Sequence, residues 1–204
     1  MKNFIYGLMA CFLWIQGTQA ADVNPKQAEA FMNNIGETVI NLLTNKSISD
    51  QVRASEFQKI LETSFNVKAA GKFVLGRYWN QASEAEKQRF LELFKATTVA
   101  SYATRFKEYT SEKFEITGSR VEGDGGVTVL SHIVRSKGDP IAIDWKIFAD
   151  KNGEIRIYDV ILEGISMGIT LRSEYASVIQ QGGGTIQALN TALEKKLVSY
   201  QTKP

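Results

Sequence analysis

From Phe114 onward the apolar residues change from a spacing of three and four to a spacing of two, and this change constrains the fold more than any other feature. Four stretches, 114–122, 127–135, 141–148 and 154–163, read as strands. The separators are Gly123-Asp124-Gly125-Gly126, Lys137-Gly138-Asp139-Pro140 and Asp150-Lys151-Asn152-Gly153, each a turn signal. Links this short join only antiparallel neighbours, because a parallel crossover needs about a dozen residues or more. A four-stranded antiparallel meander is therefore expected. Ile141, Ile143, Trp145 and Ile147 share one face while Asp144 and Lys146 point to the other, so one face is meant to be covered.

The cover comes from helical patterns on either side of the strands. Asn24-Pro25 offers a cap followed by proline at the first helical position, and Ala28, Phe31, Ile35, Val39 and Leu42-Leu43 continue one apolar stripe. Ser55-Glu56-Phe57-Gln58 has the form of a capping box and predicts a second helix, and a third is expected from Val67 to about Trp79. Ser83-Glu84-Ala85-Glu86, another capping box, opens the longest periodic segment, with Phe90, Phe94, Thr98, Tyr102, Phe106 and Tyr109 on one stripe. After the strands, 171–181 and 185–200 read as helices separated by Gly182-Gly183-Gly184. The expected class is α+β, with helices packed on one face of a curled antiparallel sheet in the cystatin/NTF2-like manner.

The N-terminus adds a location. Lys2, the apolar run from Phe4 to Ile15 and the small-residue ending Thr18-Gln19-Ala20 make residues 1–20 a signal peptide, cleaved after Ala20 or Ala21. The apolar run is too short for a membrane-spanning helix, which needs about 18 to 20 residues. Leu8-Met9-Ala10-Cys11 has the look of a lipoprotein box, but Phe12 to Ile15 carry the apolar run past the cysteine. Residues 21–204 then form a single exported domain without cysteine, so neither disulfides nor thiolate metal sites contribute. Loss of Lys2 leaves 23 basic against 22 acidic residues, and this balance argues against nucleic acid as a partner.

Several residues could carry chemistry. Gly164-Ile165-Ser166-Met167-Gly168 fits the G-x-S-x-G pattern of a serine hydrolase. That mechanism needs a histidine after the serine and a parallel sheet beneath it, whereas His132 precedes Ser166 and the strands are hairpin-linked. The pentapeptide reads instead as a glycine-flexed exit from the last strand. His132 alone reads as a half-buried strand residue, and Asp159 and Glu163 as surface or capping carboxylates, since no partner histidine supports a metal site. The triple glycine lacks the Lys-Ser/Thr of a phosphate loop and reads as a turn. No catalytic residue, cofactor or metal is expected.

Val74-Leu75-Gly76-Arg77-Tyr78-Trp79, Gln88-Arg89-Phe90, Phe94, Tyr102, Tyr158-Asp159-Val160, Glu163-Gly164-Ile165-Ser166-Met167 and Arg172-Ser173 together resemble the MlaC family of periplasmic phospholipid-binding proteins, also called the toluene-tolerance auxiliary family. Ile155 departs from the family's pattern, where a tryptophan is expected just before the Tyr-Asp-Val block. The resemblance implies a non-enzymatic carrier in the periplasm. It would shuttle phospholipid between an inner-membrane ABC-type lipid transporter complex and an outer-membrane lipoprotein complex, maintaining outer-membrane lipid asymmetry. Relatives associated with hopanoids keep a second cargo class open.

The residues themselves are compatible with a lipid pocket between the helical and sheet layers, because they supply more large apolar surface than a small domain needs to close its core. From the helices, Val74, Trp79, Phe94, Tyr102 and Phe106 are expected to line it. From the sheet, Ile133, Ile143, Trp145 and Ile147 would form the facing wall, continued on the last strand by Tyr158, Val160 and Leu162. Met167 and Tyr175 would complete the lining.

Overall fold

The computed structural model describes residues 22–103, 112–150 and 152–201. The signal segment, Phe106 and Tyr109 lie outside the described residues.

Helix α1, Pro25–Thr44, starts where expected: Asn24 Oδ1 accepts the Lys26 N–H at 2.9 Å and proline occupies the first turn. Its buried positions, Ala28, Met32, Gly36 and Leu43, recur at helical spacing. Helix α2, Asp50–Ser64, begins earlier than the Ser55 capping box implied, and Ser55 is an exposed residue inside it. Ser49 supplies the cap instead, its Oγ accepting the Val52 N–H at 3.2 Å, with Asp50 adding negative charge in the first turn. The buried Arg53 guanidinium then bonds the carbonyls of Leu42 (3.2 Å) and Asn45 (2.6 Å), which satisfies the end of α1 and staples the two helices together.

The expected helix to Trp79 is two helices, α3 at Val67–Leu75 and α4 at Arg77–Gln81, broken by Gly76 at φ +54. Only glycine adopts that backbone at little cost, and a Cβ there would lie 2.9 Å from the Arg172 guanidinium. Helix α5, Glu84–Ala103, opens on the Ser83–Glu86 capping box: Glu86 Oε2 accepts from Ser83 N at 2.9 Å, and Ser83 Oγ accepts from Glu86 N at 3.3 Å.

The strands are β1 (Lys113–Val121), β2 (Val127–Val134), β3 (Ile141–Ala149), β4 (Ile155–Leu162) and a two-residue β5 (Ile165–Ser166). They pair antiparallel in the order β1-β2-β3-β4-β5, so the meander is as expected with one extra edge strand. Irregularities between Ile116 and Gly118 and between Lys146 and Ile147 add local bends of the kind that curl a sheet. Helix α6, Met167–Gln181, follows β5 directly, four residues earlier than the sequence suggested, because Ser166 is its cap. Gly182 to Gly184 turn the chain, with the Gly184 N–H on the Ile179 carbonyl at 2.8 Å, into α7, Ile186–Gln201.

These elements bury two separate hydrophobic cores. One is purely helical, built by α3 to α7 around Phe90, Leu93, Ile179, Leu189 and Leu193. The other lies between α1 and the sheet, around Met32, Val127, Val129, Ile147 and Ile157. Asn66 joins the two halves. It caps α3 through Oδ1 (Ala69 N, 2.9 Å), donates its backbone N–H to Ile157 O at 3.1 Å and donates Nδ2 to the Tyr158 hydroxyl at 3.0 Å.

Candidate functional site: an apolar sheet face covered at one end

Strand register places residues of the inner sheet face in rows. Val127, Ile147 and Ile157 form the first row, and all are fully buried. Val129, Trp145 and Val160 form the second, where Val129 is buried and the other two are half-buried. The third row runs across four strands as Ser131, Ile143, Leu162 and Ile165. Along it exposure rises from 1% at Ser131 through half-buried Ile143 to 38% at Leu162 and 59% at Ile165. Side-chain chemistry stays almost wholly apolar along the face while coverage falls, because α1 seats Ala28, Met32 and Ile35 over the first rows only.

The one indole on this face has no free polarity. Trp145 Nε1 donates to Ser131 Oγ at 2.9 Å, and that hydroxyl donates onward to the Ile143 carbonyl at 2.7 Å. Phe114 meets the Trp145 ring edge-on with centroids 6.3 Å apart.

The residues expected to line a pocket are dispersed. Val74, Trp79, Phe94 and Tyr175 belong to the helical core. Phe90 and Phe94 stack 5.6 Å apart and both present faces to the edge of Tyr175, so this part of the aromatic stripe is turned toward α6 rather than toward the sheet. Burial pushes the Tyr175 hydroxyl well above the usual tyrosine range, so it stays neutral in that core. Trp145, Ile147 and Val160 belong to the sheet core. Ile133, Ile143, Tyr158 and Met167 are half-buried, while Leu162 is exposed at the open end of the floor. Tyr102, 45% exposed, leans on Phe57 of α2 with ring centroids 5.5 Å apart.

Two recesses of about 360 and 430 Å³ flank α1, one against α2 and one against the start of β1. Charged residues sit on their rims, Glu56 and Lys59 in the first and Glu37, Glu112, Lys113 and Glu115 in the second, and neither reaches Ile143 or Leu162.

The hydrolase geometry is not present. Ser166 Oγ donates to Asp159 Oδ2 at 2.5 Å and accepts the Ile169 N–H at 3.0 Å, while Asp159 Oδ1 accepts the Gly168 N–H at 2.9 Å. Serine and aspartate together cap α6. His132 pairs across β1 and β3 with Glu115 and Ala142, three strands from Ser166, or about 14 Å at ~4.8 Å per strand. Glu163 is structural too: at φ +49 beside Gly164 at φ +79 it makes a two-residue hairpin turn, and its Oε1 accepts the Ala142 N–H at 2.6 Å. Among the described residues no group of three or more His, Cys, Asp or Glu could hold a metal ion, and no helix is long and apolar enough to cross a membrane.

Sequence reasoning missed Phe73, Ile165 and Ile169, apolar residues that are 45%, 59% and 63% exposed. A signal for Ile169 existed. It lies out of phase with the Leu171, Tyr175 and Ile179 stripe by which α6 joins the helical core.

The family model described as "MlaC protein" matches residues 33–195. The chain belongs to the MlaC family. Among curated MlaC relatives, it is 26% identical over 133 residues to the intermembrane phospholipid transport system binding protein MlaC of Haemophilus influenzae, covering 64% of this chain and 61% of that protein. It is 22% identical over 110 residues to the toluene tolerance protein ttg2D of Pseudomonas putida, covering 54% of this chain and 51% of that one. The matched region thus spans about half to three fifths of these relatives. A solved phospholipid-binding protein from Ralstonia solanacearum, in complex with a phospholipid, superposes with a TM-score of 0.75 at 19% identity over 86% of this chain and 99% of that one. At that identity the match establishes a shared MlaC fold.

Proposed function

We propose that this MlaC-family chain is a periplasmic phospholipid carrier without covalent chemistry, shuttling lipid between an inner-membrane ABC-type transporter complex and an outer-membrane lipoprotein complex and so maintaining outer-membrane lipid asymmetry. Residues 1–20 serve as its signal peptide and residues 21–204 as one lipid-binding domain. Family membership and the phospholipid named with the Ralstonia protein support the cargo class. The observation that carries the reading is the third row of the sheet face, apolar but progressively uncovered, lying outside both closed cores.

In this reading the acyl chains lie along that floor, over Ile133, Ile143, Trp145, Val160 and Leu162, with Tyr158, Met167 and Tyr102 toward the sides. Ile147, at the deep end, closes the floor. Val74, Trp79, Phe94 and Tyr175 hold the helical wall in shape behind the contact surface, and Phe106 extends the stripe beyond Tyr102. Burying a methylene contributes about 0.8 kcal/mol, so two acyl chains of about 15 methylenes each represent on the order of 20 kcal/mol before costs. A bilayer offers nearly the same burial, so transfer between membrane and carrier is close to balanced and its direction comes from the partners.

The test is mass spectrometry of lipid extracted from purified protein, on the wild type and on Ile143→Asp. Glycerophospholipid in the wild type, reduced at least about fivefold in the variant with its circular dichroism intact, is the expected result, since a buried carboxylate opposes an acyl chain. Hopanoid in place of phospholipid would transfer the reading to that cargo. Protein that arrives empty would reject it.

A further inference from the structure

The open end of the floor leads to a corner of the molecule that none of the foregoing uses. Leu162 and Ile165 pair across the β4–β5 hairpin, Ile169 follows in the first turn of α6, and Phe73 of α3 reaches the same spot, its ring 3.2 Å from where a Gly168 Cβ would stand. Four of the large hydrophobics that remain exposed are thus gathered at one corner. The corner is rigid rather than loose. The Glu163–Gly164 turn is bolted to β3 by the Ala142 bonds of Glu163, with its N–H on the Ala142 carbonyl at 3.0 Å and its Oε1 on the Ala142 N–H at 2.6 Å, and Asp159 and Ser166 fix the start of α6.

Beside this apolar surface stand cations without counter-charges. The Arg172 guanidinium lies over the Phe73 ring with its carbon 5.2 Å from the centroid, and it has no carboxylate partner among the described residues. Arg77, next to Gly76, donates to the Tyr78 hydroxyl and likewise lacks a carboxylate. Neither described recess opens here, so the corner offers a projecting hairpin and helix start rather than a groove for a partner's helix.

Projecting aliphatic and aromatic side chains flanked by unpaired arginines match the two halves of an anionic bilayer surface, acyl boundary and phosphate, better than they match a folded protein surface. We infer that the β4–β5–α6 corner, with Phe73, Ile165, Ile169 and Arg172, is a docking surface for an anionic phospholipid bilayer. This rests on the carrier reading, to which it adds the place where cargo crosses: the corner continues the apolar row Ile143–Leu162–Ile165, so a lipid sliding out along the floor arrives at the docked membrane without passing through water.

The experiment is co-sedimentation of purified protein with sucrose-loaded phosphatidylethanolamine vesicles containing about one third phosphatidylglycerol, repeated with neutral phosphatidylcholine vesicles. Wild type is expected to sediment with the anionic vesicles and to be released by salt. Ile165→Asp and Ile169→Asp should each lower the bound fraction about tenfold, and Arg172→Gln about fivefold with most of the preference for anionic vesicles lost. All three positions are exposed or lie over an exposed ring, and thermal unfolding of each variant checks that the fold is retained. Wild type that ignores both vesicles, or aspartate variants that sediment like wild type, overturns the proposal. Capture on a purified membrane-protein complex that is lost in these variants, with no vesicle binding, overturns it in favour of a protein partner. Lipid content of the same preparations reads the carrier function separately: it should be equal across the variants, and empty wild type that still sediments would remove the carrier reading and leave the docking surface standing.

Discussion

The helical core and the sheet core are built from similar residues and behave as opposites. Around Phe90, side chains from α3 to α7 enclose the aromatic pair on all sides, with Tyr175 edge-on to both rings. Over the sheet, a single helix seals the first rows and leaves the third row open toward Ile165. Closed packing holds the fold, while incomplete packing leaves apolar surface available to something other than this chain.

That contrast predicts an ordered series of substitutions. Phe90→Ala, in the sealed region, should be the most damaging, costing about 3–5 kcal/mol by urea denaturation; a loss under about 1 kcal/mol would mean the helical core is not closed. At the sealed end of the sheet, Gly36 faces Phe114, whose ring lies 2.1 Å from where a Cβ would stand. Gly36→Ala should therefore cost about 1–3 kcal/mol and disturb the Trp145 environment, seen as a shift in tryptophan emission. Ser166→Ala removes the α6 cap and should cost about 1 kcal/mol in thermal or urea unfolding while leaving lipid content unchanged.

Smaller still is the tie between α2 and α5. The Lys95 ammonium, with help from Gln58, holds the Glu62 carboxyl below the usual carboxylate range across a 2.6 Å ion pair. A depressed folded-state value means the stabilisation is complete above about pH 4.5 and fades as acid carries the pH down through the folded value. The pH dependence of Tm below that point should be shallower in Glu62→Gln, by an amount under about 1 kcal/mol for so exposed a pair. Smallest of all, Leu162→Ala at the open end should change stability by less than about 0.5 kcal/mol in lipid-free protein; a core-sized loss there would erase the difference between the two regions.

Much of this architecture was legible from residue pattern. Period-two stretches with four-residue links permit little besides an antiparallel meander, and the Ser83–Glu86 box marks its helix start as expected. Local pattern was weaker where two signals competed. Ser49 and Ser55 both precede helical sequence, and the tie broke toward Ser49 because Arg53 then reaches back to the end of α1. Gly76 sits within an apolar periodic run, and only the tertiary approach of Arg172 makes its broken conformation evident. The candidate site was least legible. Phe94 and Ile143 are equally apolar and equally periodic, yet one is locked beside Tyr175 and the other lies on the open floor. That difference depends on where α1, α5 and α6 land, which no single segment encodes.

The Trp145 clamp has a chemical consequence for whatever rests on that floor. With the indole N–H committed to Ser131 and the Ser131 proton committed to Ile143, the surface beneath the tails has no donor to offer a visitor. It can gauge girth and length but is deaf to polar decoration, so selectivity between one fatty molecule and another has to be exercised at the rim.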